Sequence, residues 1–315
     1  MARIAMVGLG RMGGAMASRL LEAGHEVVVT NRTAQRVASL VARGARAAAT
    51  PAEAAARADA VVAMVSDDDA SRAVWLGPDG VLAGDPRPGT LAIECSTLSR
   101  DWVLELADAV RTAGLRYLDC PVTGLPDAAA NGRLTLLVGA DPDDLASALP
   151  VLEPLSDRVL HFGGVGAGTA YKLIVNLIGA VQIAGVAEGL AMAERAGLDL
   201  TQVVEAIASG QAASPQVVRN SRRMADADHD EVVFSGRLRR KDTAYAMQLA
   251  ERLQVGAPFG QVALDGLDAL LASGLGELNE SAVIEVARHR LSELSESGAA
   301  IAAPDSDNSG RGGQE

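Results

Sequence analysis

Residues 4–7 read IAMV, an apolar run of strand length that ends in glycines at positions 8, 10 and 13 (VGLGRMGG). An Ala/Met/Leu-rich stretch follows at once, and its periodicity is helical. This G-x-G-x-x-G spacing between a strand and a helix leaves few backbone paths. Gly8 serves the tight turn, Gly10 opens the backbone N–H groups at the helix start, and Gly13 lets the helix press on the strand. A helix N-terminus bared in this way suits an anion such as a pyrophosphate. Leu9, Arg11 and Met12 fill the loop between the glycines and are expected to touch the same ligand. With 33 glycines in the chain, the spacing alone is a weak signal, and its position between strand and helix gives it weight.

The first half of the chain continues the alternation. β-rich runs occur at 26–31, 60–65, 91–95, 117–120, 134–138 and 159–162, with helical stretches such as 51–57 and 101–113 between them. Strands alternating with helices imply βαβ units and a mostly parallel sheet. After Tyr117 two β-rich runs flank a polar loop, so a mixed sheet edge is expected. The β signal stops after Gly164. Residues 169–195 read as one helix of about 27 residues, roughly 40 Å long. Further helices are expected at 200–209, 215–224, 238–253, 258–273 and 281–291.

The fold class is therefore α/β: an N-terminal Rossmann-type doubly wound sheet over 1–163, and a C-terminal all-helical domain over 164–295 joined by the long helix. The Gly/Ser-rich polar tail over 296–315 is expected to be disordered. The apolar N-terminus is too short and glycine-broken for a signal peptide. The stretch from Leu173 to Ala193 is long enough for a membrane span, but it carries Asn176, Gln182 and Glu188 and reads as a buried helix.

A net charge of −12 argues against nucleic acid or an anionic membrane as partner. Cys95 and Cys120 form no CxxC and are expected as buried packing in a reducing cytoplasm. The four histidines show no ligand spacing, so no metal is expected.

The end of the second β-rich run, VVVTNRTAQR, bears on the ligand. A carboxylate there would bind a ribose 2′-hydroxyl and favour NAD. This chain has Asn31 instead, followed by Arg32, Thr33 and Arg36. Guanidinium forks and a hydroxyl suit a 2′-phosphate, which points to NADP.

One lysine, Lys172, stands in the apolar run YKLIVN, with Asn176 four residues later on the same helix face. Desolvation lowers a lysine pKa and an anionic neighbour opposes that shift, so such an amine exchanges protons near neutral pH. A lysine snorkelling from the helix edge would have the same sequence.

Four motifs, in order, resemble the β-hydroxyacid dehydrogenases, the group with 3-hydroxyisobutyrate dehydrogenase, tartronate semialdehyde reductase and the glyoxylate/succinic semialdehyde reductases. They are VGLGRMGGAMASRL, DCPVTGLPDAAANGRL, GVGAGTAYKLIVN and RRKDTAYAMQLA, and the resemblance runs from about residue 3 to 292. It implies Lys172 as general acid/base and Asn176 as a substrate hydrogen-bonder. It places Lys241 beside nicotinamide or substrate, with Asp242 as a supporting charge. AMVSDDDA implies cofactor contacts from Val65 and Ser66, and ECSTLS places Ser96 and Thr97 by the nicotinamide ribose and substrate. The family's Ser-Gly-Gly carboxylate loop is here Thr123-Gly124-Leu125 followed by Pro126, which adds bulk, removes one donor and implies a more apolar pocket. Phe234 and Trp75 are candidates for its walls, with core packing the plainer expectation. Members pair through the helical region, so a homodimer or homotetramer is implied.

The reading is an NADP-dependent oxidoreductase acting on a small hydroxy acid or its semialdehyde. Imine reduction on the same scaffold is one alternative, though relatives doing that usually lack the helix lysine. The other is a non-catalytic NADP-holding oligomerisation module. Measured with both coenzymes, kcat/KM is expected to favour NADPH. A clear preference for NADH would contradict the role given to Arg32 and Arg36.

Overall fold

The computed structural model describes residues 1–288. The expected disordered tail, and the end of the helix expected over 281–291, lie outside the described residues. The first body runs β1 (Arg3–Val7), α1 (Arg11–Glu22), β2 (Glu26–Thr30), α2 (Ala34–Val41), β3 (Arg46–Ala47), α3 (Pro51–Ala55), β4 (Ala60–Ala63) and α4 (Asp68–Leu76). It continues with β5 (Leu91–Glu94), α5 (Arg100–Thr112), β6 (Arg116–Asp119), β7 (Val122–Thr123), α6 (Pro126–Ala130), β8 (Leu134–Gly139), α7 (Pro142–Leu152) and β9 (Ser156–Gly163).

These strands form one nine-stranded sheet in the order β3-β2-β1-β4-β5-β6-β8-β7, with β9 on β8. Pairing is parallel from β3 through β6. It turns antiparallel where β8 meets β6 and β7, and β9 lies parallel to β8. The mixed edge expected from the sequence is present. Because successive side chains point to opposite faces, the central strands divide their residues between two cores. Ile4, Met6, Val29, Val62, Ile93 and Leu118 pack with Met16 and Leu20 of α1. Ala5, Val7, Val61, Ala63, Ala92 and Tyr117 pack with Trp75 of α4 and Trp102 and Leu106 of α5. Burial on both faces explains the near-continuous apolar strands. The chain starts in mid-sheet, runs outward to β3 and returns to β4. The resulting topological switch point, where a crevice opens at the strand ends, lies between β1 and β4.

The second body is helical: α8 (Ala167–Arg195), α9 (Leu200–Ser209), α10 (Pro215–Ala225), α11 (Gly236–Arg252) and α12 (Pro258–Ala272), with residues 283–288 also helical. At about 1.5 Å per residue, α8 is about 43 Å long. It is long and apolar enough to cross a membrane. In the fold it is a core helix: Ala180, Ile183, Ala187 and Leu190 pack with Met224, Leu267, Leu270 and Ile284.

One carboxylate fixes where α8 begins. Asp119, at the end of β6, is fully buried. It accepts the N–H groups of Gly166 at 2.6 Å and Thr169 at 2.7 Å. A negative charge on a helix N-terminus satisfies orphan donors and complements the helix dipole. Burial raises the Asp119 pKa, and the backbone hydrogen bonds from Gly166 and Thr169 act against that rise. The first turn of α8 also lies hard on β8: a Cβ at Gly168 would stand 2.2 Å from the Leu137 carbonyl oxygen. With Asp119 accepting from Gly166 and Thr169, α8 begins at Ala167, two residues before the sequence expectation. Strands β3 and β7, two residues each, are too short to show a period.

Asp119→Ala leaves two buried N–H groups without an acceptor and is expected to cost roughly 2–4 kcal/mol. Chemical denaturation checks this. Unchanged stability would mean that the joint does not depend on the carboxylate.

Candidate active site

The glycine loop is built for a ligand on one side and for packing on the other. Gly8 has φ +89°, and a Cβ there would meet the Met64 carbonyl oxygen at 2.3 Å. A Cβ on Gly13 would stand 2.0 Å from the Gly8 carbonyl oxygen, whereas one on Gly10 would meet nothing within 4 Å. Gly10 therefore faces open space at the start of α1, whose N-terminus has no side-chain cap. The residues fit a pyrophosphate there, with backbone donors and dipole aligned.

Asn31 has a structural task. Its Oδ1 accepts the Leu9 N–H at 2.9 Å and its Nδ2 donates to the Thr33 carbonyl at 3.3 Å, tying the loop to the end of β2. Arg32, Thr33 and Arg36 are exposed at the start of α2. Thr33 makes no side-chain cap there, and neither arginine forms an ion pair among the described residues. Arg11 reaches across the crevice and donates to the Val232 carbonyl. Met12 packs partly buried against the first core.

The ends of β4 and β5 are locked together. Ser96 is 1% exposed and its hydroxyl accepts the Val65 N–H at 2.8 Å. Ser96, expected beside the nicotinamide ribose and substrate, also donates its backbone N–H to buried Glu94. The Glu94 carboxylate accepts from Ser96 N at 3.0 Å, Ser71 Oγ at 2.8 Å and Trp75 Nε1 at 2.8 Å. Burial raises the Glu94 pKa, and those hydrogen bonds oppose the rise. Trp75 is thus core rather than pocket wall. Cys95 and Cys120 are buried as expected. Ser66 Oγ donates to Asp67 at 2.7 Å.

Lys172 and Asn176 project from α8 toward α11. Asn176 is buried, and its Nδ2 donates to Asp242 Oδ2 at 2.6 Å. The other Asp242 oxygen stands 3.0 Å from Lys241 Nζ. Lys241 Nζ also donates to the Thr97 carbonyl at 2.5 Å, which links the helical body to the sheet. Tyr245, one turn on, accepts the Asp68 N–H at 3.2 Å and lies under the Lys241 ammonium at 5.1 Å.

The Lys172 ammonium makes no hydrogen bond or ion pair among the described residues. The residue is half-buried, and solvent still touches it. Surrounding protein nevertheless lowers its pKa to about 8. Desolvation is the main cause; Asp242 pulls the other way, and Arg239 and Lys241 reinforce the decrease. The chain contains two lysines against 26 arginines, and both lysines are here. Arginine holds its proton at any ordinary pH, whereas lysine can release one.

Thr123, Gly124 and Leu125 form an exposed turn leading into α6, with Leu125 40% exposed. Pro126 takes the first helical position, where its missing N–H breaks no helical bond.

Three buried charged residues escaped the sequence reading: Glu94, Arg239 and Glu280. Arg239 lies three residues before Asp242, on the same face of α11. Within RLRRKD nothing else marks it.

A topological switch point with a bare glycine loop, and a partly buried amine on the helical body, define a two-domain dinucleotide-binding enzyme scaffold. Comparison with known proteins agrees. Residues 3–164 match the NAD-binding domain of 6-phosphogluconate dehydrogenase, and residues 166–287 match the "NAD-binding of NADP-dependent 3-hydroxyisobutyrate dehydrogenase" family. The chain is 34% identical over 272 residues to a Pseudomonas aeruginosa 3-hydroxyisobutyrate dehydrogenase, covering 84% of this chain and 90% of that protein. It is 34% identical over 292 residues to an NAD-dependent L-serine dehydrogenase of the same organism, covering 90% of this chain and 97% of that protein. A solved Mycobacterium tuberculosis 3-hydroxyisobutyrate dehydrogenase with L-serine superposes with TM-score 0.82 at 33% identity, covering 91% of this chain and 99% of that one. The chain belongs to the β-hydroxyacid dehydrogenase family, and is an NAD(P)-dependent oxidoreductase.

Asp242→Asn removes the one anion that raises the Lys172 pKa. The amine is therefore expected to titrate below about 8 in that variant. Lysine Nζ NMR reads this directly. An upward shift or none would contradict the charge arrangement.

Proposed function

We propose that the protein interconverts a small 3-hydroxy acid and its semialdehyde or 3-oxo form, with NADP as coenzyme and Lys172 as general acid/base. The observation that carries the proposal is the Lys172 amine, unpaired in the crevice with its pKa lowered to about 8. The glycine loop from Gly8 to Gly13 would hold the pyrophosphate, and Arg32, Thr33 and Arg36 the 2′-phosphate. Val65, Ser66 and Thr97 would line the nicotinamide half. Bound there, the dinucleotide supplies or accepts the hydride.

This chain's own residues handle the proton and the orientation. In reduction the Lys172 ammonium stabilises the charge developing on the carbonyl oxygen and delivers a proton to it. In oxidation the neutral amine takes the hydroxyl proton. The Asn176 amide nitrogen is committed to Asp242, so its oxygen is left to face a substrate hydroxyl. The Thr123-Gly124 turn receives the substrate carboxylate, and Leu125 narrows one side with an apolar surface. Lys241 holds Thr97 and Asp242 in place and adds positive charge near the substrate. The Mycobacterium relative was solved with L-serine, a small 3-hydroxy acid, which supports the substrate class. The protein is proposed to work in the cytoplasm as a homo-oligomer. Exposed Ile174, Ile178, Phe259 and Val262 on α8 and α12 support self-association.

Lys172→Ala is expected to lower kcat at least about 100-fold while NADPH binding, followed by fluorescence titration, stays nearly intact. A variant keeping most of its turnover would remove the role assigned to the amine.

A further inference from the structure

A second ion pair lies behind the Lys172–Asn176 turn, outside the machinery described above. Arg239 and Glu280 are 2% and 1% exposed, and Arg239 Nε donates to Glu280 Oε2 at 2.6 Å. Arg239 Nη1 donates to the Asn176 backbone carbonyl at 3.2 Å. That carbonyl lies inside α8, so the guanidinium takes a second lone pair on a helical acceptor. Glu280 Oε1 accepts from Asn220 Nδ2 of α10 at 3.1 Å and from Arg219 at 3.3 Å. The guanidinium carbon sits 4.8 Å above the Phe234 ring. Opposite it, α8 carries Gly179, where a Cβ would press on Arg239 Nη1 at 3.3 Å.

Asn176 is therefore held twice by one face of α11: by Asp242 through its side chain and by Arg239 through its main chain. We propose that Arg239, fixed by Glu280, is the positioning residue of this site, clamping the turn of α8 that bears Lys172 and Asn176 and setting the charge that the amine faces.

A purely structural role is a weak explanation for such a pair. Replacing a buried ion pair with apolar side chains of similar volume is often neutral or stabilising. Geometry and charge both point to the amine. Lys241 and Arg239 are cations on α11 that reinforce the lowering of the Lys172 pKa, and Asp242 on the same helix is the anion that opposes it. From the sheet side, the Asp119 carboxylate is committed to the N–H groups that open α8. Glu280 is taken up by Arg239, Arg219 and Asn220.

The inference rests on Lys172 being the acid/base, and its test separates the two claims. With only two lysines in the chain, Nζ-selective NMR on the full-length protein gives a simple spectrum, and Lys172→Ala assigns it. In the volume-matched Arg239→Met/Glu280→Leu variant, the Lys172 midpoint should rise, because Arg239 is the member of the pair whose charge acts on the amine and that like charge is gone. Its kcat for NADP+-linked oxidation should fall at least about tenfold from the loosened turn, with KM for NADP+ unchanged. The probe is 3-hydroxyisobutyrate or L-serine, whichever the wild type oxidises faster. Arg239→Lys keeps the charge but not the fork, so the midpoint should stay and kcat should still fall. An unchanged midpoint or an unchanged kcat in the folded double variant, or wild-type kcat in Arg239→Lys, overturns the proposal. Full turnover by Lys172→Ala would instead overturn the acid/base reading and leave the NMR result standing.

Discussion

The site depends on one carboxylate set among three cations. Asp242 bonds to Asn176, pairs with Lys241 and draws Lys172 toward its charged form. Glu280 takes up Arg239. Asp242 thus pairs with Lys241, and Glu280 with Arg239 and Arg219, while the Lys172 ammonium has no ion pair among the described residues. Burial penalises such an unmatched charge. The penalty stays moderate because the crevice admits solvent and Asp242 compensates in part. A fully paired lysine would keep its proton, and a fully buried one would lose it altogether.

Charge alone does not bring the amine to the sheet. Asp119 ties the end of β6 to the first turn of α8. Lys172 lies three residues beyond the second of those bonds, so its position is measured from the sheet through rigid helix. From the helical side, Lys241, Tyr245 and Arg252 bond to Thr97, Asp68 and Asp101, and the Val232 carbonyl accepts from Arg11 of α1. Each of these contacts joins the helical body to a loop or helix start beside the strand ends. These contacts hold the first turns of α8 and α11 against the ends of the sheet.

The fold was legible wherever a pattern repeats. Buried parallel strands are apolar on both faces, so 60–65 and 91–95 stood out. The long run after Gly164 had no strand signal, and it proved to be α8. The glycine loop was readable because Gly8 and Gly13 answer steric limits that no other residue meets. Lys172 and Asn176 showed their shared face through helical spacing. Sequence reasoning failed where a role depends on long-range pairing. Ser96 matched a motif that implies substrate contact, and nothing local shows that its hydroxyl accepts the Val65 N–H and its backbone N–H donates to Glu94. Arg239 and Glu280 are 41 residues apart in the chain and carry no local signal of their meeting. The sequence holds two lysines against 26 arginines. That count gained meaning only once both lysines stood in one crevice.

The central claim is that a single amine with a pKa near neutrality moves the proton in both directions. The most direct measurement is the pH dependence of kcat/KM for wild-type protein, taken for hydroxy-acid oxidation and for carbonyl reduction. Oxidation needs the neutral amine and should fall as pH drops below about 8, whereas reduction needs the ammonium and should fall as pH rises above it. Profiles that stay flat through this range in both directions would contradict the account.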